Sequence, residues 1–362
     1  MKVLFVFNHP APYKVSFFNE LAKELDIFVI FERTKAKDRP DEFYSKNKYN
    51  FNHLFLKKGA FSNENSNTSE LKNYIKEHYQ EYDHIVMNGY STFTEIKAIK
   101  FMNKNNIPFI LMINGGIKKE KEFFYKRNLK KKLIGSAKYY LSPSAVSDEY
   151  LTYYTAKKKH IFNYPYSTVY QSQIMDNFLP EEEKLKLRKK WDLPDGILYI
   201  NPAQFIDRKN NLQLIEIFKN RQEKLLLLGN GPLKETYLKY ISENNIKNVF
   251  IRDFLPKNEA LEVMSCCDFH ITLSKEDIYG HTIHEALSVG LPVISSEHVI
   301  AAKTLLKDGY NGYVVPLVNE EIISKMNSIS KEMNYNALTS AKENTIEKSA
   351  LKVAKILKED IQ

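Results

Sequence analysis

The stretch Ser274-Lys-Glu-Asp277-Ile-Tyr-Gly280-His-Thr-Ile-His-Glu285-Ala-Leu-Ser-Val-Gly290-Leu-Pro292-Val-Ile294 follows one apolar run, residues 269–272, and ends in a second, residues 292–295. Two short strands enclosing a polar loop, a glycine turn and a helical stretch spell a strand–helix–strand unit. Runs apolar at nearly every position suit parallel strands covered on both faces. The same alternation continues outward. Strands are expected at residues 3–7, 27–31, 85–88, 109–113 and 139–141, then at 198–200, 224–228, 249–251, 269–272 and 292–295. Helical patterns lie between most of them, as at 14–25, 69–79 and 94–103. Two such sets predict two doubly wound α/β domains.

Strand signals lapse between Tyr164 and Asp192, which sets the boundary near Ser167. There the run from Pro180 to Lys190 reads as an exposed charged helix leading into Trp191. The stretch 341–359 is amphipathic and is expected to return to the first domain. The domains are therefore 1–166 with 341–362, and 167–340.

At 362 residues, 43% hydrophobic and 27% charged, the composition excludes disordered and fibrous classes. Adjacent Cys266 and Cys267 cannot close a loop by a disulfide, the opening apolar run is too short for a signal peptide, and no run approaches a membrane span. A cytoplasmic protein is expected. The formal net charge of +9 is concentrated between Lys118 and Lys138, with nine Lys or Arg against two Glu, interleaved with Phe123, Phe124, Tyr125, Leu129, Leu133 and Ile134. That pattern suits an amphipathic helix lying on an anionic membrane face and argues against a nucleic-acid arm, whose aromatics would line a groove.

Ligands of open parallel sheets collect at the carboxyl ends of strands, where helix N-termini offer free N–H groups. Gly280 permits a close turn into a helix starting near His281, and the N–H groups of His281, Thr282 and Ile283 suit phosphate. Glu285, one turn in, suits ribose hydroxyls, and Asp277 the hydroxyls of a second sugar. His281 and His284 read as a solvated helix start rather than as metal ligands, and no D-x-D or His/Cys set has ligand spacing.

This loop resembles the acidic-x7-acidic motif of retaining GT-B glycosyltransferases of family 4, E-x-F-G-x4-E-A-x3-G-x-P-V-I, with Asp277, Tyr279, Gly280, Glu285, Ala286, Gly290, Pro292, Val293 and Ile294 at matching spacing. Residues 201–210 are similar to the family's G-R-L-x3-K segment, with Lys209 on the basic position, Gln204 where Arg is usual and Arg208 nearby to compensate. Leu228-Gly-Asn-Gly231-Pro-Leu233 resembles its G-x-G-P-L turn, Phe254 and Leu255 fall where the nucleobase is received, and residues 308–314 resemble D-G-x-N-G-x-L. In the first half, Pro10-Ala-Pro-Tyr13-Lys14 resembles an A-P-Y-R loop on the acceptor side. Asn114-Gly115-Gly116 stands where His or Asp next to Gly is usual, and residues 161–167 resemble a Y-P-F hinge.

The resemblance implies two Rossmann-like domains facing a central cleft and a hexosyltransferase that retains anomeric configuration. Its donor is a nucleotide diphosphate sugar, UDP-sugar favoured, and its acceptor a saccharide or lipid-linked saccharide in surface polysaccharide or glycoconjugate synthesis. No metal or other cofactor is implied. Lys209 and Arg208 would hold the diphosphate, Glu285 the ribose, and Asp277, or its neighbour Glu276, the donor sugar. His9, Tyr13, Lys14, Asn114, Gly115 and Gly116 would lie on the acceptor side. The competing classes are a GT-B sugar-nucleotide epimerase, which absence of the acidic loop would favour, and a non-catalytic sugar or nucleic-acid binder, which would bind without turnover.

Overall fold

A computed structural model describes residues 1–37, 41–44, 47–61, 66, 68–118 and 121–361. The chain divides into two compact units, Met1–Thr168 with Thr345–Gln362, and Val169–Asn344. In the first unit the strands are β1 (Lys2–Phe7), β2 (Asp26–Phe31), β3 (Lys35–Ala36), β4 (Asn52–Phe55), β5 (Ala60–Phe61), β6 (His84–Met87), β7 (Ile110–Met112), β8 (Tyr139–Ser142) and β9 (Ile161–Asn163). Seven of them form a parallel sheet in the order β4-β2-β1-β6-β7-β8-β9, and β3 pairs with β5 alone. The second unit has β10 (Leu198–Pro202), β11 (Lys224–Leu228), β12 (Val249–Arg252), β13 (Phe269–Thr272), β14 (Val293–Ser296) and β15 (Gly312–Val315), parallel in the order β12-β11-β10-β13-β14-β15. Chain order reverses at β1/β6 and at β10/β13, and such switch points open crevices at the strand ends.

The central strands are apolar because helices cover both faces: Val3, Leu4, Phe5 and Val6 of β1 and Leu225, Leu226 and Leu227 of β11 are fully buried. The helix Pro12–Leu21 begins on a proline, which suits a first turn, and packs Val15, Phe18 and Leu21 inward. The helix Phe93–Lys104 is stopped at its start by a capping box of Thr92 and Glu95.

Three expectations are corrected. The charged helix Glu181–Lys190 is not simply exposed: Lys184 and Arg188 are buried, and Arg188 bonds Asp268 Oδ2 at 2.8 Å, Cys266 O at 2.8 Å and Gly196 O at 2.6 Å. A buried guanidinium is tolerated because its donors are met by a carboxylate and carbonyls. The amphipathic stretch near the end is two helices, Asn334–Lys342 in the second unit and Ile346–Lys355 in the first, separated where Thr345 caps the latter by accepting from Lys348 N–H. Third, β4, β9 and β15, which were not expected as strands, extend the sheets at their edges.

Of the basic segment, residues 119 and 120 lie outside those described, and the helix spans Phe124–Ile134. Leu133 and Ile134 enter the core, whereas Phe123, Phe124 and Tyr125 are 67%, 70% and 54% exposed. Among the described residues, no helix is long and apolar enough to cross a membrane.

Candidate donor site and acceptor-side residues

In the second unit the loops after the adjacent strands β10 and β13 are laced together. Lys275 N–H donates to Arg208 O at 2.8 Å, Arg208 Nη1 to Glu276 O at 3.2 Å, and Lys275 Nζ lies 3.0 Å from Asp207 Oδ1. At the centre, the Lys209 ammonium bonds Asp277 Oδ2, and Arg208 Nη1 stands 3.8 Å from Asp277 Oδ1. Thus two expected diphosphate cations and the expected sugar carboxylate meet. Glu276, Asp277's neighbour, is exposed and joins through its carbonyl. On the other side, Asp277 N–H donates to His298 O at 3.1 Å and Ala301 N–H to Tyr279 O at 2.7 Å.

Gly280 takes φ +93° and opens the helix His281–Ser288, and a β-carbon there would lie 2.3 Å from Val299 Cγ1 and 3.8 Å from Asp277 Oδ2. Glycine is therefore required on both conformational and steric grounds. His281 and Thr282 begin the helix, where N–H groups point outward from its end. Ile283 is corrected: its N–H donates to Gly280 O at 3.1 Å and its side chain is fully buried, so it serves the core rather than a phosphate. His284 is not solvated either. It is buried with Nε2 3.1 Å from Ala341 O, and burial pushes it down to about 4, so it is neutral at physiological pH.

Glu285 is half-buried one turn along this helix. Facing it is a residue the sequence reading missed, Lys257, at the start of the helix Lys257–Ser265. Burial pushes the Lys257 ammonium below its ordinary value, the Glu285 carboxylate pulls it back up, and Nζ donates to Gln173 Oε1 at 3.3 Å. The only signal for Lys257 is its nearness in sequence to Phe254 and Leu255.

Phe254, 46% exposed, and Leu255 follow β12, beside an ion pair of Lys234 and Asp253 at 2.5 Å. Gly231 owes its identity to packing: at φ +157° its β-carbon would meet the Phe205 backbone at 2.6 Å, and Phe205 N–H donates to Asn230 O at 2.9 Å. Gln204, half-buried, leads into the same crossing.

In the first unit the expected acceptor-side residues follow β1 and β7. Lys14 is buried, its ammonium bonded to Asn114 Oδ1 and 4.4 Å from the Tyr166 ring centroid, and burial holds it well below the ordinary lysine value. Asn114 is steadied by Asn88, Nδ2 to Oδ1 at 3.2 Å, a partner the sequence did not reveal. Tyr13 meets Tyr166 edge-on at 6.4 Å, and His9 Nδ1 lies 3.1 Å from Tyr44 Oη. Gly115 has φ +146°, and a β-carbon on Gly116 would fall 2.5 Å from the Tyr150 ring, so Gly116 is needed for packing.

Two all-parallel Rossmann-like α/β units, each with its loops gathered at strand carboxyl ends, define the GT-B class of fold. HepE of Anabaena, whose structure is a complex with UDP and glucose, superposes with a TM-score of 0.75 over 99% of this chain and 100% of that one at 16% identity. Residues 183–358 match the model of the family Glycosyl transferases group 1. The O-antigen biosynthesis glycosyltransferase WclY of Escherichia coli is 26% identical over 236 residues, which are 61% of this chain and 63% of the relative, so the match spans less than two thirds of that protein. The poly(glycerol-phosphate) alpha-glucosyltransferase of Bacillus subtilis is 30% identical over 123 residues, 32% of this chain and 18% of that one.

Proposed function

We propose that this chain is a retaining glycosyltransferase of family 4 type. It moves a hexosyl group from a UDP-sugar to a saccharide or lipid-linked saccharide acceptor in surface polysaccharide or glycoconjugate synthesis. The observation that carries the reading is the meeting of Lys209 and Asp277 at the N-terminus of the helix bearing Glu285. WclY's O-antigen role and HepE's UDP and glucose complex agree with it in substrate class.

In this reading the acceptor oxygen attacks the anomeric carbon on the face that the leaving phosphate occupies. The bond from that carbon to the β-phosphate oxygen breaks, the hydroxyl proton passes to the phosphate, and UDP departs. Lys209, Arg208 and the outward N–H groups of the helix start stabilise the charge growing on UDP, as preorganised donors do. They do so without a metal ion. Glu285 accepts from the ribose hydroxyls. The exposed Phe123, Phe124 and Tyr125, beside Lys126, Arg127 and Lys132, hold the protein against an anionic membrane where lipid-linked acceptors reside.

The test is a melting-temperature screen against UDP, GDP, ADP and CMP, since a ligand selective for the folded state raises the midpoint. Stabilisation by UDP, lost in Glu285→Ala, is expected. In turnover, Glu285→Ala and Lys209→Ala each fall at least about tenfold, roughly 1.4 kcal/mol. Near-wild-type turnover in both variants refutes the site assignment.

A further inference from the structure

We propose that Asp277 discriminates between the loaded donor and the spent nucleoside diphosphate by standing in for a phosphate oxygen when the site is empty. The inference rests on the reading of Lys209 as the diphosphate cation. Both side-chain cations assigned to the diphosphate are already approached by this carboxylate, Lys209 at hydrogen-bond range and Arg208 more loosely. Oδ2 bonds the Lys209 ammonium, Oδ1 is 3.8 Å from Arg208 Nη1, and a β-carbon on Gly280 would lie 3.8 Å from Oδ2, at the mouth of the helix His281–Ser288. A carboxylate and a phosphate compete for the same donors, because charged hydrogen bonds and a helix N-terminus favour either anion.

The pair is sheltered. The Lys209 and Asp277 side chains are only 14% and 17% exposed, so solvent screens their attraction less than it would screen a surface pair. The backbone around Asp277 is fixed by the bonds from Asp277 N–H to His298 O at 3.1 Å and from Lys275 N–H to Arg208 O at 2.8 Å. The carboxylate therefore changes partners by turning its side chain. A donor sugar supplies hydroxyls that draw Asp277 off Lys209. Once the sugar has been transferred, those hydroxyls are gone, Asp277 returns to the ammonium, and the diphosphate loses part of its hold. The residue thereby favours product release without weakening the loaded donor to the same degree.

The experiment is calorimetric titration of the full chain with UDP, and with inorganic pyrophosphate, which carries the diphosphate without a base. Asp277→Asn is expected to bind both at least about fivefold more tightly than wild type, since a sheltered pair exceeds the roughly 0–1 kcal/mol of an exposed one. The gain is expected to vanish in a Lys209→Met background. Asp277→Ser, which removes the charge without adding an amide, should reproduce it. Unchanged affinity for both probes would mean that the carboxylate addresses only the sugar, and weakened affinity that it merely props Lys209; either overturns the inference. If Lys209→Met alone leaves UDP binding intact, the assignment of Lys209 falls and this inference falls with it.

Discussion

Gly280→Ala tests a backbone requirement of the candidate donor site. The residue holds φ +93°, and the added methyl would lie 2.3 Å from Val299 Cγ1. A left-handed conformation costs an L-residue about 1–2 kcal/mol. Forcing a methyl into packed surroundings adds about 1–3 kcal/mol. The expected loss is therefore about 2–5 kcal/mol, or a midpoint lower by roughly 4–20 °C at roughly 2–4 °C per kcal/mol. Val299 has little room to retreat, being 1% exposed, with its segment tied to the loop by Ile300 N–H to Asp277 O at 3.4 Å and Ala301 N–H to Tyr279 O at 2.7 Å. The methyl thus pries these segments apart beside the Lys209–Asp277 pair. Equilibrium urea unfolding of the wild type, Gly280→Ala, Val299→Ala and the double variant separates the two contributions. Removing the valine methyls relieves the overlap but not the backbone strain, so the double variant should be about 1–3 kcal/mol more stable than the sum of the single losses predicts. A Gly280→Ala protein within about 0.5 kcal/mol of wild type would refute the reasoning. Strict additivity would show that Val299 is not the obstacle.

Two further outcomes are expected. In the first unit Glu32 and Glu95 are both buried, and burial holds both well above the ordinary glutamate value, reinforced at Glu32 by the Glu95 carboxylate and partly opposed there by the Thr92 and Thr94 hydroxyls and Arg33, and at Glu95 by donors of Ser91 and Thr92. The native state then keeps protons that the unfolded chain has lost. Stability is full below the ordinary glutamate value and falls as pH rises through the raised native values; Glu32→Gln should flatten that decline and be the more stable form at alkaline pH, by on the order of 1 kcal/mol. Urea midpoints measured across pH 5–9 check this, and a wild type that gains stability toward alkaline pH relative to Glu32→Gln contradicts it. For the basic helix, sedimentation with vesicles should show binding to anionic but not zwitterionic lipid, weakened by salt and by a Phe123→Ser/Phe124→Ser double change. Equal binding to both lipids, or to neither, removes the membrane role.

What the sequence made legible follows from where the determining contacts lie. Strands such as β1 and β11 declare themselves because both faces are buried, whereas β4, at a sheet edge, has Asn52, His53 and Leu54 exposed and offers no such run. The helix Glu181–Lys190 looks solvated because nothing local shows that Arg188 will meet Asp268, eighty residues away. The burial of His284 is hidden for a related reason: its partner, Ala341 O, is brought by a distant helix. Asp277 and Glu285 stand out at once, since one loop and the first turn of one helix hold both.

The meeting of Lys209 with Asp277 has a different origin, the strand order. Because β10 and β13 are neighbours, the loops leaving their carboxyl ends must run side by side, and residues 68 apart in sequence become an ion pair. Such an arrangement cannot gather the cations proposed for a diphosphate without also bringing the carboxylate proposed for the sugar within their reach. The Lys209–Asp277 pair neutralises itself, and under the proposed function its affinity for a nucleotide is set by the difference between two anions competing for one ammonium. A second cation, Arg208, keeps that competition from being all or none: with its side chain 42% exposed and Nη1 held by Glu276 O, it is available to a phosphate while Lys209 is still occupied. On the proposed reading, donor capture therefore begins at Arg208 and is completed when sugar hydroxyls release Lys209 from Asp277.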